Sequence, residues 1–211
     1  MSSRLNPRFT GLLAVVLVGA VLALPGPAAK AHHGEAPPEM AFPQEADKTT
    51  FNNDWGDGRS GGRRHTGTDM MASAKMVEVY ALADGVVTKI SERSRPGRYL
   101  YVEHEGGWTS LYLHLNDDNP GTDDGKAPWS LTLAPGIEVG SEVKAGQVIG
   151  WTGDSGNAEG ASPHTHFELH LNGRAVNPYP YLKDAYDRDL ADMTRREKLA
   201  IYQMLGSTLI D

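Results

Sequence analysis

The chain has 211 residues, with 27 acidic against 20 basic side chains, a formal net charge of −7 and no cysteine. That length supports one well-buried core plus appendages. The absence of cysteine excludes disulfides and thiolate metal sites, and the acidic balance makes nucleic acid an unfavourable partner.

In chain order, Arg4 and Arg8 precede an apolar stretch from Gly11 to Leu24. Pro25-Gly26-Pro27 and the small residues ending Ala29-Lys30-Ala31 follow. This is the pattern of a secretory signal peptide over residues 1–31. The apolar run falls short of the roughly 20 residues that span a bilayer, so no stable membrane span is expected after cleavage and the product is expected to be secreted or in the cell envelope. Cleavage removes three cations (Arg4, Arg8, Lys30) and no acid, which takes the net charge from −7 to −10. Residues 32–49 are polar and proline-bearing and read as a flexible tether.

From Met76 onward, short β-rich runs alternate with turns: Met76 to Leu82, Val86 to Ser91, Tyr99 to His104, Thr109 to Leu115, Gln147 to Thr152 and His164 to Leu171. Asp84-Gly85 and Glu105-Gly106-Gly107 are hairpin-grade turns. The pattern predicts a mainly β fold, an antiparallel sheet with an open groove on one face and Phe167 and Leu169 packed on the other. Residues 116–137 form an Asx- and Gly-rich insertion, read as a solvated loop; its carboxylates are donors that Ca²⁺ takes, but the EF-hand spacing is absent. The tail, residues 183–211, reads as a helix. Thr194-Arg-Arg-Glu197 is a capping box, Leu199, Met204 and Leu205 give a stripe, and Gly206 is a stop. Packing on the domain is the expected role of this helix, with docking of a partner as the alternative.

Chemistry concentrates in His65-Thr-Gly-Thr-Asp69, in Tyr112-Leu-His114-Leu115 and in His164-Thr-His166. Zinc takes imidazole nitrogen and carboxylate oxygen, and a catalytic site keeps three protein ligands with one position open. Two histidines and one carboxylate meet that need. His164 and His166 are two apart and share one face of a strand, so one can bind metal while the other handles protons. Gly67 sets His65 and Asp69 in a turn entering a strand rather than on a helix. His104 and His170 are read as outer-sphere or surface residues. Glu168, on the face of His166, is either an orienting partner for a liganding imidazole or an exposed carboxylate.

These motifs, with Trp55-Gly56, Arg59-Ser-Gly-Gly-Arg63-Arg, Ala83-Asp84-Gly85-Val86-Val87, Gly146-Gln-Val-Ile-Gly150 and Gly153-Asp-Ser-Gly156-Asn, fall in the order seen in the M23 peptidases of the LytM and lysostaphin type, which the chain resembles over roughly residues 50 to 182. The resemblance implies one catalytic Zn²⁺ held by His65, Asp69 and His166, and catalytic roles for His114 and His164. It implies an endopeptidase cutting peptide crosslinks of bacterial peptidoglycan. His164 is the expected base and His114 the expected donor to water or oxyanion, the two roles being exchangeable. The competing expectation is a non-enzymatic relative that regulates other wall hydrolases, against which the full complement of ligand positions argues. Which peptide bond is cut is not encoded in these motifs.

Overall fold

The computed structural model describes residues 38–207, with side chains described through residue 200. The expected signal peptide lies outside the described residues. Among them no helix is long and apolar enough to cross a membrane.

The core of the fold is an antiparallel eight-stranded sheet. In chain order its strands are β1 (Thr49–Thr50), β4 (Thr68–Ala72), β6 (Gly85–Arg93), β7 (Gly97–His104), β8 (Trp108–Leu115), β9 (Glu142–Val143), β11 (His164–Leu171) and β12 (Arg174–Val176). They lie side by side as β1-β4-β11-β8-β7-β6-β9, with β12 also on β11. Two small pairs complete the β structure, β2 (Gly58–Arg59) with β3 (Arg63–Arg64) and β5 (Glu78–Tyr80) with β10 (Val148–Trp151). The expected strands are all present, with ends shifted by one or a few residues. Alternation along β11 places Phe167 and Leu169 in the core and His164, Glu168 and His170 on the other face. Met70, Val87, Leu100, Val102 and Tyr112 line the same core. Tyr112 meets Phe167 edge to face with ring centres 5.3 Å apart.

Helix α1 (Tyr179–Ser207) closes the core face. Leu182 and Ala185 are buried, and Tyr186 packs edge to face on Phe42 and Phe51 with ring centres at 5.0 and 5.2 Å. Two expectations need correction here. The expected tether over residues 32–49 does not hold for its described part: Met40, Phe42 and Gln44 are buried. The Gln44 amide donates to Thr49 Oγ1 at 2.8 Å and accepts from Thr152 Oγ1 at 3.0 Å. The apolar spacing of Met40 and Phe42 serves the core despite the prolines around it. The helix also begins at Tyr179, so Thr194 is not an N-cap; its hydroxyl donates to Leu190 O at 2.9 Å, one turn back inside a continuous helix. Leu199 is exposed, as are the rest of residues 194–200; the other two residues of the expected stripe, Met204 and Leu205, have side chains outside those described.

The insertion is solvated over residues 120–126, as expected, but its first residues are pinned to the body. Asn116, Asp117 and Asp118 are buried. Lys75 Nζ lies 2.6 Å from Asp118 Oδ2, 2.5 Å from Asp123 Oδ1 and 2.8 Å from Asp154 Oδ1. The backbone N–H groups of Asp124 and Gly125 donate to Asp118 Oδ1 at 2.6 and 2.7 Å. An ammonium therefore supplies the positive charge among these carboxylates.

Candidate active site

β4 and β11 pair with Asp69 opposite His166 and Met71 opposite His164. Directly paired residues share a face, so the carboxylate and both imidazoles of His-Thr-His stand together. His65 lies in the loop before β4, fixed by its N–H to Asp57 O at 2.8 Å and by Gly56 N–H to His65 O at 2.9 Å. Gly67 between them is a packing requirement: a Cβ there would lie 2.4 Å from Phe167 O and 2.8 Å from His166 Nε2.

Three ligand-type atoms converge on this face. His65 Nε2 is 3.1 Å from Asp69 Oδ1 and 2.9 Å from His166 Nδ1, and His166 Nδ1 is 2.8 Å from Asp69 Oδ1. The outer nitrogen of each ring has its own acceptor. His65 Nδ1 donates to Asp54 O at 3.0 Å and His166 Nε2 to Glu168 Oε1 at 3.1 Å. In the neutral tautomers that these partners select, both inner nitrogens present lone pairs. Two imidazole lone pairs and a carboxylate oxygen this close repel one another unless a cation lies between them. With bonds of about 2.0–2.1 Å, zinc in tetrahedral geometry sets its donors about 3.3 Å apart, so the donor set fits that ion.

A proton competes for the same place. Burial opposes the charged form of His65, but hydrogen bonds with Asp54 and Asp69 outweigh it and push this imidazole up to about 9. Asp69 is held well below the usual carboxylate range, its burial being outweighed by hydrogen bonds with His166 and His65. Arg59 Nη2 donates to Asp69 Oδ2 at 2.8 Å and to Asp54 Oδ2 at 3.3 Å. That contact occupies the outer carboxylate oxygen and leaves Oδ1 to the centre.

His114 reaches the same face by a backbone irregularity. On β8 its neighbour Leu113 pairs with His166, whereas Tyr112 pairs with core-facing Phe167, so regular alternation would bury His114 beside Tyr112. The β7–β8 ladder instead shifts register between Arg98 and Leu100, and His114 takes φ +61°. This bulge turns the imidazole outward, to ring centres 5.1 Å from His164 and 6.1 Å from His166. The conformation is held by His114 N–H to Pro96 O at 2.9 Å and by Gly153 N–H to His114 O at 3.1 Å. His114 Nδ1 donates to Ser155 O at 2.8 Å, leaving Nε2 as an acceptor. Burial and the neighbouring His164 and His166, against the Ser155 carbonyl, push this ring down to about 4. His164 Nδ1 likewise donates to a carbonyl, Ser162 O, at 2.9 Å.

All five candidate residues thus gather on one face of the sheet. Glu168 is an orienting partner rather than a free carboxylate: besides His166 it accepts from Thr66 Oγ1 and His170 Nε2, each at 2.7 Å. His104 lies elsewhere, correcting its reading as outer-sphere or surface. It is buried on the core side, with Nδ1 donating to Asp84 O at 2.9 Å and Nε2 accepting from Ser110 Oγ at 2.8 Å. Asp54 and the role of Arg59 escaped the sequence reading. Arg59 stands inside a quoted motif and Asp54 directly precedes Trp55-Gly56, but loop geometry alone brings them to Asp69. His65, His114 and His166 are buried at the centre of the site and Asp69 and His164 are half-buried; cavities of about 290 and 410 Å³ lie between the N-terminal segment and α1, lined by Met40 and Arg188 and by Phe42 and Asp189.

A model of peptidase family M23 matches residues 63–125 and 130–178. Peptidoglycan DD-endopeptidase ShyC of Vibrio cholerae is 33% identical over 116 residues, 55% of this chain and 22% of the relative. Glycyl-glycine endopeptidase ALE-1 of Staphylococcus capitis is 30% identical over 130 residues, 59% of this chain and 30% of the relative. The chain spans about a fifth of the length of the first curated relatives it matches. Among solved structures, the catalytic domain of lysostaphin from Staphylococcus simulans superposes with a TM-score of 0.50 at 26% identity, over 65% of this chain and 95% of that domain.

Proposed function

The chain belongs to peptidase family M23, and from that premise we propose that it is a zinc-dependent endopeptidase acting outside the cytoplasm on peptide crosslinks of bacterial peptidoglycan. One observation carries the reading: three lone-pair atoms, from His65, Asp69 and His166, meet within 3.1 Å on one face of the sheet. Relatives named for peptidoglycan and glycyl-glycine endopeptidase activity support the substrate class.

Zinc held by His65, Asp69 and His166 would supply Lewis acidity toward a peptide carbonyl and a water whose pKa falls from about 15.7 to about 7. The protein's own groups handle the protons. His114 offers a lone pair at Nε2, because its Nδ1–H is committed to Ser155 O. Pushed down to about 4, it is neutral near pH 7. In that state its Nε2 can take the proton of the attacking water, as can Nε2 of His164, whose Nδ1–H is likewise committed to a carbonyl, so the two roles stay exchangeable. The two rings, 5.1 Å apart between centres, take the proton from the water and return it to the leaving nitrogen, so that both end the turnover neutral. Arg59, Asp54 and Glu168 orient the three ligands, the kind of support whose loss costs about 10–100-fold in metal affinity.

The test is metal analysis together with mass spectrometry of fragments released from purified peptidoglycan. Protein with one equivalent of zinc is expected to release peptide fragments, and His65→Ala to lose both metal and hydrolysis. A metal-free His65→Ala protein with full activity overturns the reading.

A further inference from the structure

The sheet face that carries the metal-type cluster continues away from it across three more strands. Glu168 on β11 pairs with Leu111 on β8, Leu111 with Tyr101 on β7, and Tyr101 with Lys89 on β6. Paired residues of an antiparallel sheet share a face, so this row runs straight from the partner of His166 to Lys89. The Lys89 ammonium lies 5.0 Å from the centre of the Tyr101 ring and 5.7 Å from that of Tyr99, the rings themselves being 5.3 Å apart. Arg93, four residues along β6, falls on the same face by alternation and is exposed. Among the described residues neither cation pairs with a carboxylate, and Glu92 between them is bonded to Arg98 at 3.1 Å. Two unpaired cations beside a pair of tilted phenol rings, on a molecule of net charge −10 without residues 1–31, make a local positive patch in line with the site.

We propose that Lys89, Arg93 and Tyr101, with buried Tyr99 beneath the lysine, form a subsite for a carboxylate-bearing residue of the peptide substrate. The inference rests on the endopeptidase reading and extends it to substrate class. Three strand spacings of about 4.8 Å put the Lys89 strand about 14 Å from β11, the strand of His166. At about 3.4 Å per extended residue, the subsite receives a side chain about four residues from the scissile bond. The tyrosine rings hold the lysine stem and head in place, and the leucine floor at Leu111 leaves the charged end as the selective element.

The test uses a crosslinked stem-peptide dimer with free carboxyl groups and the same dimer with its carboxyls amidated. Both are titrated against zinc-loaded His114→Ala protein so that the peptide survives. The free-acid form is expected to bind about fivefold more tightly, the size of a favourable exposed charge pair. In Lys89→Met and Arg93→Met on that background the ratio is expected to fall toward one, as it is in the His114→Ala parent on raising salt. Equal affinities for the two dimers, a ratio that survives both substitutions, or no binding of either dimer overturns the subsite. Hydrolysis of the same dimers by the unsubstituted zinc-loaded protein judges the other reading separately. Discrimination without cleavage removes the enzyme and keeps the subsite; cleavage without discrimination does the opposite.

Discussion

At the scale of single residues, His114 joins backbone strain to chemistry. A side chain at φ +61° costs about 1–2 kcal/mol relative to ordinary geometry, and the register shift that imposes it is what carries the imidazole from the core face to the groove. Glycine tolerates that conformation and alanine does not. In urea unfolding, His114→Gly is expected to be about 1 kcal/mol more stable than His114→Ala, with both losing hydrolysis by roughly 10²–10⁴-fold and both retaining zinc. Equal stabilities would mean that the bulge relaxes when the ring is removed. The five candidate residues could be picked out because each sits in a short motif of the M23 resemblance, and Gly67 shows that one such spacing is also a packing constraint, against His166. The bulge was not legible: alternation from Tyr112 places His114 inside, and no local residue pattern marks the extra residue. Asp54 and Arg59 were hidden for a related reason, since their roles depend on how a turn-rich loop folds back on Asp69.

At the scale of elements, periodicity read the strands well and the helix poorly. Strand alternation reports burial directly, whereas the Thr194-x-x-Glu197 box is a helix-start signal that a helix already under way since Tyr179 overrides. Docking of α1 rests on its first turns, so Leu182→Ala, at a fully buried position, is expected to cost about 3 kcal/mol. Leu199→Ala, 56% exposed, is expected to stay within about 0.5 kcal/mol. Chemical denaturation of both proteins checks the contrast, and similar losses would place Leu199 in a contact of its own. The insertion behaves as an element too. Burial, with Asp118 and Asp154 nearby, pushes the Asp117 carboxyl up to about 6, so the folded state binds this proton more tightly than the unfolded chain, whose aspartate titrates near 3.9. Its contribution to stability is therefore full below about pH 4 and is lost as pH rises to about 6. Asp117→Asn is expected to be more stable than wild type at pH 7 and to lose that advantage as pH falls below 4. A constant difference across that range would show that Asp117 does not titrate there.

At the scale of the whole molecule, three segments distant in sequence meet at Lys75: the turn after β4, the insertion through Asp118 and Asp123, and the 153–155 segment through Asp154. The last of these is the scaffold of both proposed catalytic histidines. Gly153 O accepts from His164 N–H at 3.0 Å, Gly153 N–H donates to His114 O, and Ser155 O holds the His114 ring. The role of Lys75 is not visible from its own turn, because its partners lie 43 to 79 residues ahead. Replacing Lys75 by methionine keeps the stem and leaves Asp118 and Asp154, both 2% exposed at the side chain, without their cation. Breaking one side of a buried pair costs about 3–5 kcal/mol, and partial exposure of Lys75 brings the expectation to about 3. Because the loosened segment carries His114 and His164, the turnover rate is expected to fall as well, with zinc content unchanged since no ligand is touched. Lys75→Arg, which restores the charge, is expected to recover part of both losses. Unfolding curves and crosslink hydrolysis measured on the two variants decide the matter: a Lys75→Met protein as stable and as fast as wild type would mean that the carboxylates are neutralised by another route and that the 153–155 segment is held by its backbone bonds alone.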